Sequence, residues 1–285
     1  MSDRVQVDVA DGVAHVRLNR PDKMNALDGA MFVAIAEAGA SVAADPSVRA
    51  VVLSGEGRAF CSGLDFSSFQ AMAEGPRADA DADADAGDGD GGGGGASMGA
   101  IGETSGRITH LGQQVAHVWQ EVPVPVIAAI HGVALGGGIQ IALGADIRII
   151  APDARMSVLE VKWGLVPDMT GTWMLTRLVG LDVAKELTFT GRMVEGEEAV
   201  RIGLATRVAA DPLAEAHALA AEIAGKSPHA VRAAKRLLNQ SGLVPIEQQF
   251  ADERREIGAL IGSPNQVEAV MSGFEKRDPS FADPS

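Results

Sequence analysis

A single cysteine, Cys61, stands among the 285 residues, so no internal disulfide can form and the chain fits a reducing compartment. Basic residues are scarce: 24 Lys and Arg face 38 Asp and Glu, a net charge of −14 that argues against a nucleic-acid groove. Part of that excess is local, since residues 74 to 90 carry seven acids against the single Arg77. No apolar run is long enough to span a bilayer, and the opening MSDRVQVDVA has no apolar signal-like core. These absences lead to the expectation of a cytoplasmic protein with neither membrane nor nucleic acid as partner. What is present is a 46% apolar fraction, ample for a sizeable core.

The pattern begins as sheet. VQVDVA (5 to 10) and VAHVRLN (13 to 19) alternate apolar and polar residues around Asp11-Gly12, predicting a hairpin with a tight turn. Residues 29 to 44 have helical spacing, and VRAVVLSG (48 to 55) reads as a strand buried on both faces. A helix near 104 to 121 and further buried strands at 124 to 132 and 146 to 151 follow, so strand and helix alternate as in an α/β layered core. Beyond Val208 the signals become those of helix starts: Asp211-Pro212, Ser227-Pro228, Pro245, and Ser263-Pro264 with Gln266 at capping-box spacing. The division predicted is a core over 1–208 and a helical subdomain over 209–285. Within the core an Asp/Gly-rich insert (74–100) contains an Ala-Asp repeat and a glycine run at 78 to 95, and lacks apolar residues to offset its ordering entropy. It is expected to be a disordered surface loop, with a mobile lid or an Asp-rich cation site as the alternatives.

Chemistry concentrates at HGVALGGGIQ (131 to 140). Three glycines between an apolar strand and an apolar helix leave backbone N–H groups bare toward a ligand, suited to an anionic oxygen. The bland alternative for Gly136 to Gly138 is close packing of helix on strand. Two carboxylates follow, Glu160 and Asp168. For Glu160 a surface salt bridge is the ordinary alternative. For Asp168 it is an N-cap of the helix in DMTGTWMLTRL. Ser62 lacks a G-x-S-x-G elbow, and Cys61 reads as a small buried residue. His110 and His117 lie seven apart without further ligands, so no metal site is expected.

Several stretches in order, NRPDKMNAL (19 to 27), GRAFCSGLDF (57 to 66), HGVALGGGIQIALGADIRI (131 to 149), residues 157 to 180, TGRMVEGEEAVRIGLATRV (190 to 208) and FEKRDPSF (274 to 281), resemble the enoyl-CoA hydratase/isomerase, or crotonase, family. The resemblance implies a crotonase-like (ClpP/crotonase) spiral of ββα units with a helical C-terminal trimerisation subdomain. It implies an acyl-CoA substrate, no cofactor other than the coenzyme A that the substrate carries, and a homotrimer or dimer of trimers. By motif, the backbone N–H groups of Ser62 and Gly137 would clasp the thioester oxygen, where such donors are worth roughly 3 kcal/mol each. Hydratases of the family use two glutamates; Glu160 matches the second, while Gln140 stands at the first and cannot take a proton. Dienoyl-CoA isomerases pair the equivalent of Glu160 with an aspartate that Asp168 matches, although they also carry an aspartate where Gln140 stands.

The resemblance further places the coenzyme A and substrate site around Lys23, Met24, Ala26 and Ala59, with Leu64 and Asp65 nearer the pantetheine, Gly63 and Gly136 among its residues, and Lys276 resembling a lysine that reaches a neighbour's phosphates. The expectation is a double-bond isomerase acting through a thioester enolate in fatty-acid metabolism. The alternatives are a hydratase using Glu160 alone and a non-catalytic acyl-CoA-binding protein.

Overall fold

A computed structural model describes residues 3–65, 104 and 107–284. The predicted insert at 74–100 lies outside the described residues. The hairpin forms as expected: β1 (Val5–Ala10) and β2 (Val13–Leu18) pair antiparallel. Both turn residues, Asp11 (φ 50°) and Gly12 (φ 77°), take the left-handed backbone that a two-residue connection of right-twisted strands needs.

Among the described residues six strands make the main sheet, in the order β1-β2-β3-β4-β6-β9, with β3 at Ala50–Gly55, β4 at Val126–Ile130, β6 at Ile147–Ile150 and β9 at Arg207–Val208. From β2 onward all pairings are parallel. Its central strands are buried on both faces, which explains their unbroken apolar runs. Val51, Leu53, Val126, Ala128 and Ile130 join the larger core, while Ala50, Val52, Ile127 and Ala129 face a smaller cluster completed by Ala216 and Ala220. Those two alanines belong to α7 (Pro212–Ala224), so the first C-terminal helix covers the second face of the sheet.

A second sheet, β5 (Val133–Leu135), β7 (Arg155–Ser157) and β8 (Val194–Glu195), is offset by short bends from the first. Each passage from β4 to β5 to α3 (Gly137–Gly144), or from β6 to β7 to α4 (Gly171–Val179), is one turn of the ββα spiral. Other helices are α1 (Gly29–Ala44), α2 (Leu111–Glu121), α5 (Leu181–Thr190) and α6 (Gly196–Arg201). The helix expected from 104 starts only at Leu111, because His110 caps it: the Nδ1 atom accepts the Gln113 N–H at 3.3 Å, and the Gln113 side chain accepts the His110 N–H.

Three further helices, α8 (Pro228–Gln240), α9 (Ile246–Leu260) and α10 (Pro264–Glu275), complete the chain. Asp211 and Ser263 cap as expected, but Gln266 accepts the N–H of Gly262 instead of that of Ser263. Lys235 of α8 is 7% exposed and anchors this region: Nζ donates to the carbonyls of Trp119 and Val124 at 2.9 Å and to Asp146 at 2.7 Å. No helix among the described residues is long and apolar enough to cross a membrane.

Candidate active site

The loop of residues 20–27 and that of residues 56–65 are joined by Asn25, whose amide donates to the carbonyls of Glu56, Ala59 and Phe60 while its oxygen accepts the Arg20 N–H. Asn25 is fully buried at φ 56°, a conformation asparagine tolerates better than most residues. Lys23, Met24, Ala26, Ala59, Gly63 and Leu64 are thereby brought together. Asp65 is there too, but its carboxylate is held by Arg20, whose guanidinium also bonds the Ala26 carbonyl. This ion pair fastens the loop.

The backbone of 61–64 decides which amides face the ligand. Cys61 pairs with β5, its N–H on the Val133 carbonyl and its carbonyl on the Leu135 N–H. Extended backbone alternates sides, so the Ser62 N–H points the other way and donates to the Met24 carbonyl at 2.9 Å. The assignment of Ser62 as an oxyanion donor is therefore corrected, since its amide is already engaged. Leu64 bridges to Leu27 through its neighbours, the Gly63 carbonyl and the Asp65 N–H, which turns its own N–H to the opposite side. There it faces α3, where Gly137 is the first helical residue. Neither the Leu64 nor the Gly137 N–H meets a backbone acceptor among the described residues.

Glycine is needed where these two segments meet. A Cβ on Gly138 would stand 2.4 Å from the Cys61 carbonyl, and Gly63, at φ 92°, would clash at 2.7 Å with the Leu135 carbonyl. Both readings of the triglycine thus hold for different members: Gly138 permits close packing, while Gly137 leaves its amide open. Cys61 is inert, its thiol pushed up to about 12 by burial and donating to the Asn25 carbonyl.

A cavity of about 210 Å³ lies before these amides, with Ser62, Leu64, Gly136, Gly137, Glu160, Asp168 and His110 in its wall. Leu27, Phe32, Leu159, Trp163, Leu165, Val166 and Met169 supply the apolar remainder. Glu160 opens a short 3₁₀ turn (Glu160–Trp163) and is only 8% exposed, which excludes a surface salt bridge. Its Oε1 accepts Gln140 Nε2 at 2.6 Å, and its Oε2 is buried with no partner among the described residues. Burial raises its pKa above the glutamate range; its own N–H and Gln140 pull the other way, and the charge of Asp168 adds to the rise.

Gln140 cannot be turned over. Its Oε1 accepts the Met169 and Gly171 N–H groups, both at 2.9 Å, so only its NH₂ can face Glu160. This side chain from α3 thereby satisfies the start of α4, whose N-cap position is Thr170 in a left-handed conformation without a side-chain bond. The N-cap reading of Asp168 is excluded, and its carboxylate stands exposed on the cavity wall. Lys276 is the exposed C-cap of α10 and does not line the cavity. Among the described residues no three His, Cys, Asp or Glu side chains cluster as for a metal.

Comparison with known proteins agrees with this arrangement. The family model described as enoyl-CoA hydratase/isomerase matches residues 13–283. A Mycobacterium leprae protein named "Probable enoyl-CoA hydratase" is 32% identical over 275 residues, covering 95% of this chain and 96% of its own. The short-chain-enoyl-CoA hydratase of Clostridium acetobutylicum is 32% identical over 93% of this chain and 92% of its own. The crystal structure of an enoyl-CoA hydratase from Mycobacterium smegmatis superposes with a TM-score of 0.79 at 31% identity, covering 98% and 99% of the two chains.

Proposed function

Because the chain belongs to the enoyl-CoA hydratase/isomerase family, we propose that it moves a proton on an acyl-CoA thioester with Glu160, and that its reaction is a double-bond shift in an enoyl or dienoyl chain. One observation carries the preference: the 2.6 Å contact of Gln140 with Glu160. It fills the gap in which two glutamates would hold a water between them, and it puts an amide where a second proton carrier would be.

The free Oε2 of Glu160 takes a proton from carbon, and the electron pair left behind delocalises onto the thioester oxygen. The Leu64 and Gly137 N–H groups receive that charge, aided by the positive end of α3. Glu160 passes that proton to a different carbon, by way of the Asp168 carboxylate where that carbon lies further along the chain, and the double bond reforms there. Coenzyme A enters as part of the substrate, with Lys23 as a phosphate partner, and no other cofactor is needed. The reading of a homotrimer or dimer of trimers is supported by the apolar surface of the last helices, where Leu238 is 71% and Ile261 68% exposed.

A second reading, hydration with Glu160 as the only acid/base group, is favoured by the names of the relatives and by the buried Oε2, which can hold a water. The two separate on a pair of substrates, a 3,5-dienoyl-CoA and crotonyl-CoA. The Asp168→Asn variant is expected to lose isomerisation of the dienoyl substrate by about 10²-fold or more. Rapid hydration of crotonyl-CoA that survives this substitution overturns the isomerase reading.

A pH profile tests the base itself. Ionised Glu160 is the active form, so kcat/KM rises with pH through its pKa, and burial sets that limb above the ordinary glutamate value of about 4.3. Gln140→Met removes a donor that favours the ionised form and is expected to move the limb higher still. A limb at or below the ordinary value contradicts the assignment.

A further inference from the structure

One polar group in the cavity wall has no part in the chemistry above. His110 precedes α2, and its Nδ1 accepts the Gln113 N–H while the Gln113 side chain accepts the His110 backbone N–H, so one bond of a reciprocal cap holds the ring. An Nδ1 that accepts a backbone N–H carries no proton, which puts the ring proton of neutral His110 on Nε2. Nε2–H is then a donor whose direction is set by that bond. No acceptor for Nε2–H is found among the described residues, while the ring lines the same cavity as the unpartnered Oε2 of Glu160.

We propose that His110 is a specificity residue that donates a hydrogen bond to the acyl chain, and that the chain this site prefers carries a hydroxyl group. The inference rests on the acyl-CoA reading of the cavity. A plain hydrocarbon chain fits Leu27, Phe32, Trp163, Leu165 and Val166, but covers the Nε2–H without bonding it, and a covered donor left unmade is a penalty. An oxygen on the chain removes that penalty. Asp168 narrows the choice, since its carboxylate on the same wall repels a carboxylate-bearing chain and accepts from a hydroxyl. A hydroxyl alone among common chain oxygens serves both as acceptor for a donor and as donor for an acceptor.

Binding of saturated, unreactive thioesters tests this apart from turnover. Hexanoyl-CoA, its 6-hydroxy derivative and 7-hydroxyheptanoyl-CoA, neither of which closes readily to a five- or six-membered lactone, are titrated calorimetrically into the full-length wild type and the His110→Asn variant. Asparagine retains the capping function but is too short to reach the chain. At least one hydroxylated thioester is expected to bind the wild type about tenfold tighter than hexanoyl-CoA. In the variant the two should fall within twofold of each other, with hexanoyl-CoA affinity retained. His110→Ser, also able to cap, serves if the asparagine variant is unstable. Tight hexanoyl-CoA binding without any preference for a hydroxyl overturns this proposal alone, as does a preference that survives both substitutions. Failure of every thioester to bind overturns the acyl-CoA reading together with it.

Discussion

The Glu160→Gln protein is expected to turn over substrate about 10²- to 10⁴-fold more slowly than wild type while binding a saturated acyl-CoA unchanged. Among the described residues Glu160 is the one buried carboxylate in the cavity wall, and glutamine there has nearly the same shape with no basic oxygen. The Leu64 and Gly137 amides, the apolar walls and the loop fastened by Asn25 are untouched, so affinity for the thioester should persist. Steady-state kinetics beside calorimetric titration make the comparison. A variant keeping more than a tenth of wild-type kcat places the proton transfer elsewhere. A wild type that binds acyl-CoA and turns over no member of a broad panel is instead the non-catalytic binder.

Lys235→Met is expected to lower the free energy of unfolding by about 3 to 5 kcal/mol, the usual effect of removing one partner of a buried ion pair. The methionine fills the space of the lysine stem but leaves Asp146 and the carbonyls of Trp119 and Val124 without the ammonium that they share. Asp146 still accepts the Val126 N–H at 2.7 Å, so its charge is not simply released to solvent. Adding Asp146→Asn should recover part of the loss, because a neutral amide oxygen can keep that bond without an unpaired charge. Urea denaturation of the single and double variants measures both effects. A loss below 1 kcal/mol in the single variant would mean that α8 is not fastened through this lysine.

The elements most legible in the sequence were those whose residues repeat a pattern long enough to count. The Asp11-Gly12 hairpin, the doubly buried run at 50–55 and the helix at 29–44 stand where they were expected. The strands β5, β7, β8 and β9 span only two or three residues each, too few for any periodicity to show. The start of α2 was misplaced because histidine is seldom a cap, and here it works only through the reciprocal bond with Gln113.

At the site, residue types were easier to read than the direction of backbone groups. Glu160 and Gln140 lie together as the motif implied. The donor amide was placed two residues early, since the choice between Ser62 and Leu64 depends on which side of the strand each N–H leaves. That direction is set by pairing with Met24, Leu27 and Val133, none of them adjacent in sequence. Asp65 and Asp168 show the same limit: Arg20 engages the first, and a glutamine from another helix does the capping assigned to the second. Asn25 lies within the NRPDKMNAL motif, where asparagine suits a left-handed position between two loops.

The anchoring of Gln140 bears on how readily a scaffold of this kind changes its chemistry over evolutionary time. Its carbonyl oxygen holds the Met169 and Gly171 amides, and a glutamate carboxylate oxygen would hold them equally well. Only the other terminal atom differs, and that atom touches Glu160. Glutamine and glutamate codons differ by one base, so a single mutation would exchange amide for carboxylate while leaving the start of α4 supported. Two carboxylates in that contact would have to share a proton, and the site would gain a second acid/base group. Lineages can therefore cross between one-carboxylate and two-carboxylate chemistry at this position without first passing through a damaged fold.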